Sequence, residues 1–229
     1  MQSPRAPSLM TTAGETLTAF EFPRLAASFP ALALQPRGSG EPVVVLPGLG
    51  TSNSSTLVIR RYLSWLGYRV QGWNQGTNGG DVEALLPLVT EEVRRVHAET
   101  GQTVTLLGWS LGGVLAREVA RDEPNMVRQV VTLGSPVVGG PKYTAVGRLY
   151  EQRGVDLDEL EATIAAREEV PISVPVTSIY SRRDGIVGWR ASIDRCTPDV
   201  DNVEVSTTHF GFGFSPKVLK ILARKLAEG

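Results

Sequence analysis

The chain has 229 residues, of which 41% are apolar and 21% charged, and its formal net charge is −1. That length suits one domain and that composition a folded globular chain, which excludes an intrinsically disordered protein. The charge leaves no basic field for nucleic acid, and no apolar run approaches the roughly 20 residues that a transmembrane helix needs.

Residues 1–41 are rich in Pro, Ser and Ala and close on Arg37-Gly38-Ser39-Gly40. They read as an N-terminal arm with one short helix around residues 25–34. The first twenty residues contain no apolar stretch of the length a secretory signal requires, which points to the cytoplasm. A mature secreted chain would look the same. Cys196, the single cysteine, excludes an internal disulfide and a multi-cysteine metal site, and reads as a buried or half-buried thiol of no special role.

From residue 42 to 229 the pattern is regular. Val43-Val44-Val45-Leu46 is a continuous apolar run, as in a strand buried on both faces. A helix is expected over 53–66 and a second strand over 68–72. Asp81 caps a helix running to about residue 99, which Gly101 ends. Strands follow over 104–108, 127–133, 174–180 and 202–206, with a helix over 111–121 and a last one from Pro216 to residue 226. Strands alternating with helices predict an α/β fold: a mostly parallel central sheet of about six or more strands, with helices on both faces.

Residues 137–172 break that rhythm. Asp156-Leu157-Asp158-Glu159 resembles a helix start, and Leu157, Leu160 and Ile164 share one face of the helix it would open. The segment is either a small cap that screens a site from water or a packed surface insertion.

Gly108-Trp109-Ser110-Leu111-Gly112 is a G-x-S-x-G pentapeptide between an expected strand and an expected helix. Such a turn projects the Ser110 hydroxyl above the sheet edge, and a Cβ on either flanking glycine would strike a neighbouring element. A serine needs a base, and the chain has two histidines. His97 sits inside an expected helix, far from any strand end. His209 follows the last strand, so its loop lies at the same sheet edge as Ser110. Asp184, after the fifth strand and before Gly185, is placed to orient the imidazole. Asp194, Asp199 and Asp201 compete for that role, and the last two precede the final strand at the opposite edge. An acyl-transfer oxyanion needs preset donors. These are the N–H of Leu111 and one from Pro47-Gly48-Leu49-Gly50-Thr51, with Leu49 the candidate and Gly50 next.

With these pieces placed, the chain resembles a compact esterase/lipase of the α/β-hydrolase superfamily from about Pro42 onward. The resemblance rests on Leu46-Pro47-Gly48-Leu49-Gly50, Gly108-Trp109-Ser110-Leu111-Gly112-Gly113, Thr132-Leu133-Gly134-Ser135-Pro136, Tyr180-Ser181-Arg182-Arg183-Asp184-Gly185 and Thr208-His209-Phe210-Gly211. It implies hydrolysis of small-molecule or lipid carboxylic esters through an acyl-enzyme, with no metal and no organic cofactor. Two departures stand out. Pro47-Gly48 replaces the His-Gly common in lipases, and the usual leading antiparallel strands are not evident.

Trp73, Trp109, Trp189 and Phe210, with Phe212, sit in or beside the expected site-edge loops and are candidates to line a substrate pocket. Arg182 and Arg183 are candidates for an anionic substrate group or are simply solvated. The loop from Trp73 to Gly80 borders the site or is a generic turn. A thioesterase or acyltransferase would use the same three residues, and a non-catalytic binding protein on this scaffold is the alternative of a different class.

Overall fold

In the computed structural model, which describes residues 3–228, the arm is more structured than expected. Met1 and Gln2 of the arm and Gly229 of the expected 42–229 domain lie outside the described residues. Four short helical segments replace the single helix: α1 (Leu9–Ala13), a 3₁₀ stretch over Gly14–Phe20, α2 (Glu21–Ala27) and α3 (Phe29–Ala33). Gly14 and Pro30 interrupt any longer helical period, so no single strong pattern marks them. The Ser8 hydroxyl caps α1 by accepting from the Thr11 amide at 3.2 Å. Leu32 of α3 reaches the main core, where Tyr62 Oη donates to its carbonyl.

The remaining elements follow as β1 (Pro42–Leu46), α4 (Leu57–Trp65), β2 (Arg69–Gly72), α5 (Val82–Thr100), β3 (Val104–Trp109), α6 (Leu111–Asp122), β4 (Val127–Leu133), α7 (Gly147–Gln152), α8 (Leu157–Glu168), β5 (Val176–Ser181), β6 (Asp201–Val205) and α9 (Pro216–Glu228). Helix α4 starts four residues later than the pattern suggests. Ser55 Oγ donates to the Ser52 carbonyl and Thr56 Oγ1 to that of Asn53, local bonds that compete with helix. The Asp81 cap is present, its carboxylate accepting from the Ala84 amide.

The six strands form one parallel sheet in the order β2-β1-β3-β4-β5-β6. Alternate residues of β1 face opposite layers. Val43 and Val45 pack with Ile59 and Leu63 of α4 and Leu219 and Leu222 of α9. Val44 and Leu46 pack with Val89 and Val93 of α5 and Leu115 and Val119 of α6. This double burial explains the uninterrupted apolar run. The chain reverses its direction of growth across the sheet between β1 and β3, and a crevice opens at the carboxyl ends of strands at such a point.

Residues 137–172 fold as a 3₁₀ turn (Gly140–Tyr143), α7 and α8. Asp156 caps α8, accepting from the Asp158 and Glu159 amides at 2.9 and 3.1 Å. No side chain of α8 is fully buried, so ion pairs rather than a core hold it down. Both carboxylate oxygens of Glu168 accept from Arg117 Nη2, at 2.9 and 3.0 Å, and Oε1 also accepts from Arg121 at 2.7 Å. Arg167 pairs with Glu118 and Asp122, and Lys142 with Asp158 and Glu161. Cys196 is exposed, not buried. No helix among the described residues is long and apolar enough to cross a membrane.

Candidate active site

Ser110 stands on the turn from β3 into α6 with φ 54° and ψ −122°. Few non-glycine residues adopt a positive φ, and such strain persists only where the surroundings enforce it. The enforcement is visible. The Ser110 amide donates to the Leu133 carbonyl of β4 at 2.8 Å, and its own carbonyl accepts from Gly113 at 2.9 Å. A Cβ on Gly108 would collide with the backbone of Gly112 and Gly113, and one on Gly112 with the carbonyls of Leu46 and Pro47. Strand and helix can therefore meet this closely only with glycine at both places. Although Ser110 precedes α6, its side chain does not cap the helix.

His209 and Asp184 lie on the loops after β6 and β5. Both are nearly out of solvent, at 4% and 3% exposure. His209 Nδ1 and Asp184 Oδ2 are 2.8 Å apart, and with a carboxylate as acceptor the ring nitrogen is the donor. Asp184 Oδ1 accepts from the Ile186 and Val187 amides at 2.9 and 2.7 Å. The rings of Trp109 and His209 lie 6.2 Å apart, which ties the residue before Ser110 to the imidazole. Of the competitors, Asp194 is engaged with Arg117 and with the amides of Cys196 and Thr197, and Asp201 pairs with Lys225. His97 sits in α5 with Nδ1 against the Gln102 carbonyl.

The loop after β1 passes directly beside the serine, since a Cβ on Gly48 would stand 3.1 Å from Ser110 Cβ. Leu111 opens α6, so its N–H has no intrahelical partner. Among the described residues no protein group accepts from the Leu49 N–H. Gly50 is set aside as a donor because its N–H goes to the Asn78 carbonyl at 2.8 Å. Asn78 also donates to the Pro47 carbonyl and, from its amide, to Thr51, so this buried side chain shapes the loop.

Ser110, Leu49 and Leu111 line a cavity of about 730 Å³. Its walls are mainly aliphatic: Val82 and Leu86 from α5, Val114 from α6, and Val137, Val146, Leu160 and Ile164 from the 137–172 segment. Gly79 and Gly80 reach it, so the loop after Trp73 does border the site. The four aromatic candidates do not line it. Trp73 is buried in the core on the α5–α6 face, with Nε1 donating to Gly76. Trp109 belongs to the core on the other face. Trp189 stacks on Tyr180 beneath Arg182 and Arg190. Phe210 is half exposed, its ring edge-on to His209, and Phe212 is buried against that imidazole. These rings fill the layers beside the sheet or its edge, and the one aromatic side chain among the described residues that lines the cavity is Tyr150 of α7. Arg182 pairs with Glu204, away from the cavity.

Glu15 was not foreseen. Its carboxylate, 8% exposed, comes from the arm to the two loops that carry Asp184 and His209. Oε1 accepts from the Gly185 and His209 amides, both at 2.7 Å, and Oε2 from Phe210 at 3.0 Å. Nothing in the surrounding Ala13-Gly14-Glu15-Thr16 marks it, and backbone donors leave no complementary side chain to look for.

No family model matches the chain. It is 30% identical over 111 residues to the pimeloyl-[acyl-carrier protein] methyl ester esterase of Aliivibrio fischeri, a match covering 48% of this chain and 41% of that protein. The enzyme of the same name from Aeromonas hydrophila is 33% identical over 103 residues, covering 43% and 39%. The chain thus matches well under half the length of these relatives. Among solved structures, a lipase from Bacillus licheniformis superposes with a TM-score of 0.64 at 14% identity, over 84% of this chain and 94% of that one. Lipase B of Aspergillus fumigatus gives 0.65 at 20% identity, over 83% and 53%. At such identity these likenesses establish the fold.

Proposed function

We propose that this chain, an α/β-hydrolase by fold, is a carboxylic ester hydrolase of the esterase/lipase type that works through a Ser110–His209–Asp184 triad. The observation that carries this reading is Ser110 itself, strained at φ 54° on a strand-to-helix turn at the wall of an apolar cavity. A hydroxyl held there, beside loops bearing a histidine paired to a carboxylate, suits nucleophilic acyl chemistry. The relatives named as methyl ester esterases agree with it.

Ser110 Oγ forms the new C–O bond to the ester carbonyl as its proton passes to His209 Nε2. Asp184 holds the imidazolium through Nδ1–H. The N–H groups of Leu49 and Leu111 receive the oxyanion. On collapse the C–O bond to the alcohol breaks, and the alcohol leaves with the proton from Nε2. Water, deprotonated by His209, then cleaves the acyl-enzyme and restores Ser110. In this reading residues 137–172 are a cap and residues 42–229 the hydrolase domain, with 1–41 an arm against it.

Hydrolysis of p-nitrophenyl esters from acetyl to palmitoyl, in wild type and Ser110→Ala, tests the reading. Turnover abolished by the substitution is the expected result. Equal turnover in both proteins would remove Ser110 as nucleophile. Activity confined to acyl thioesters, or transfer to an added alcohol in preference to water, would make the chain a thioesterase or acyltransferase.

A further inference from the structure

The described residues of the arm contribute nothing to the walls of the 730 Å³ cavity, yet they hold both loops that carry the proposed base and acid. We propose that Glu15 is a positioning residue that sets the separation and register of the Asp184 and His209 loops, an inference that rests on the hydrolase reading above.

One carboxylate oxygen spans the gap. Glu15 Oε1 accepts from Gly185, the neighbour of Asp184, and from His209 itself. The two loops belong to adjacent strands, β5 and β6, but the strand ladder ends at Ser181 and Val205. Beyond it the Ser181 hydroxyl donates to the Thr207 carbonyl, and further out the shared acceptor is Glu15. Three amide donors satisfy a buried carboxylate that would otherwise be costly to desolvate. Three further contacts of the arm reinforce the same two loops. Thr12 Oγ1 donates to the Gly185 carbonyl at 2.7 Å, Thr18 and Thr208 share a hydroxyl bond, and Thr207 Oγ1 donates to Glu21. Gly185 must lack a side chain for this approach, since a Cβ there would stand 2.9 Å from Glu15 Oε1 and 2.8 Å from Thr12 Cα.

Loss of Glu15 therefore removes the acceptor that Gly185 and His209 share, loosens the register of the two loops about the remaining Asp184–His209 and Ser181–Thr207 bonds, and leaves the cavity walls in place. A misplacement of that kind lowers turnover by about 10–100-fold. The test compares wild type, Glu15→Ala and Glu15→Gln, the last replacing one acceptor oxygen with a donor that faces the Phe210 amide. Leu32→Ala, a core substitution in the same arm remote from the loops, is the stability control. All are assayed well below their melting temperatures, with folding checked by circular dichroism. Glu15→Ala should lose kcat with KM unchanged, Glu15→Gln should fall between it and wild type, and Leu32→Ala should melt lower with kcat retained. Equal kcat in Glu15→Ala and wild type would overturn the proposal, as would an equal loss in Leu32→Ala. If Glu15→Ala does not fold, Glu15→Gln decides alone.

A second readout does not depend on turnover. The downfield proton resonance of His209 Nδ1–H against Asp184, identified by its absence in His209→Gln, should be sharp in wild type and broadened in the Glu15 variants. An unchanged resonance argues against positioning by Glu15. A broadened resonance in a protein without esterase activity keeps the positional role and rejects the hydrolase reading.

Discussion

Asp184 and His209 are joined by a 2.8 Å bond whose carboxylate is itself clamped by the Ile186 and Val187 amides. The pair is therefore oriented before any substrate arrives. An amide in place of the carboxylate can present its NH₂ to Nδ1 and reverse the tautomer. Asp184→Asn is expected to lower kcat by on the order of 10³–10⁴-fold with little change in KM. A loss smaller than tenfold in steady-state ester hydrolysis would count against Asp184 as the orienting acid.

The backbone of Ser110 stores strain that glycine would not feel. Ser110→Ala retains it, whereas Ser110→Gly relieves it against a smaller entropic penalty in the unfolded chain. Both variants should be inactive, and Ser110→Gly should be the more stable of the two by about 1–2 kcal/mol in urea unfolding. Identical midpoints would show that the turn is not strained.

Arg117 lies buried between Glu168 of α8 and Asp194. Burial raises the Asp194 carboxyl pKa, but the guanidinium and the donors from Thr197 and Cys196 outweigh it and hold the group below the ordinary carboxylate range. A pKa depressed by folding gives stability that is complete above the unfolded value of about 3.9 and lost as pH falls through the folded one. Unfolding free energy should accordingly decline below about pH 4. Arg117→Leu leaves the buried Asp194 without its cation, while Glu168 keeps Arg121, and should destabilise the protein by about 3–5 kcal/mol at pH 7. A loss under about 1 kcal/mol in denaturant titration would mean that the ion pair is not what secures α8.

Ile164 projects from α8 into the cavity wall. If the cavity receives the acyl chain, Ile164→Trp should shorten it and lower kcat/KM for palmitoyl esters by about tenfold or more while sparing acetyl esters, since a change of a few methylenes is worth 1–3 kcal/mol each. A parallel fall across the whole series would point to damage at the reacting centre instead.

The placement of Ser110, Asp184 and His209 was readable because each follows a strand, and parallel strands deliver their following loops to one edge. Trp73 and Trp109 show where that logic stopped. Nearness to a site-edge loop says nothing about which way a ring points, and both rings turn into the layers beside the sheet. The aliphatic wall came in part from residues 137–172, where Leu160 and Ile164, read as one face of a helix, both reach it. Glu15 was unreadable for a different reason. Its partners are backbone amides 170 and 194 residues away, and no local pattern encodes a contact at that distance.

That separation also sets an order of events in synthesis. The arm is made before the loops whose amides Glu15 receives. At 5–20 residues per second the interval to His209 is about 10–40 s. Until then the Glu15 carboxylate lacks the His209 amide, and the Ser110 turn, once translated, lacks the His209 loop. The joining of the Asp184 and His209 loops by Glu15 is thus a late step, one that waits until segments 194 residues apart have both been made.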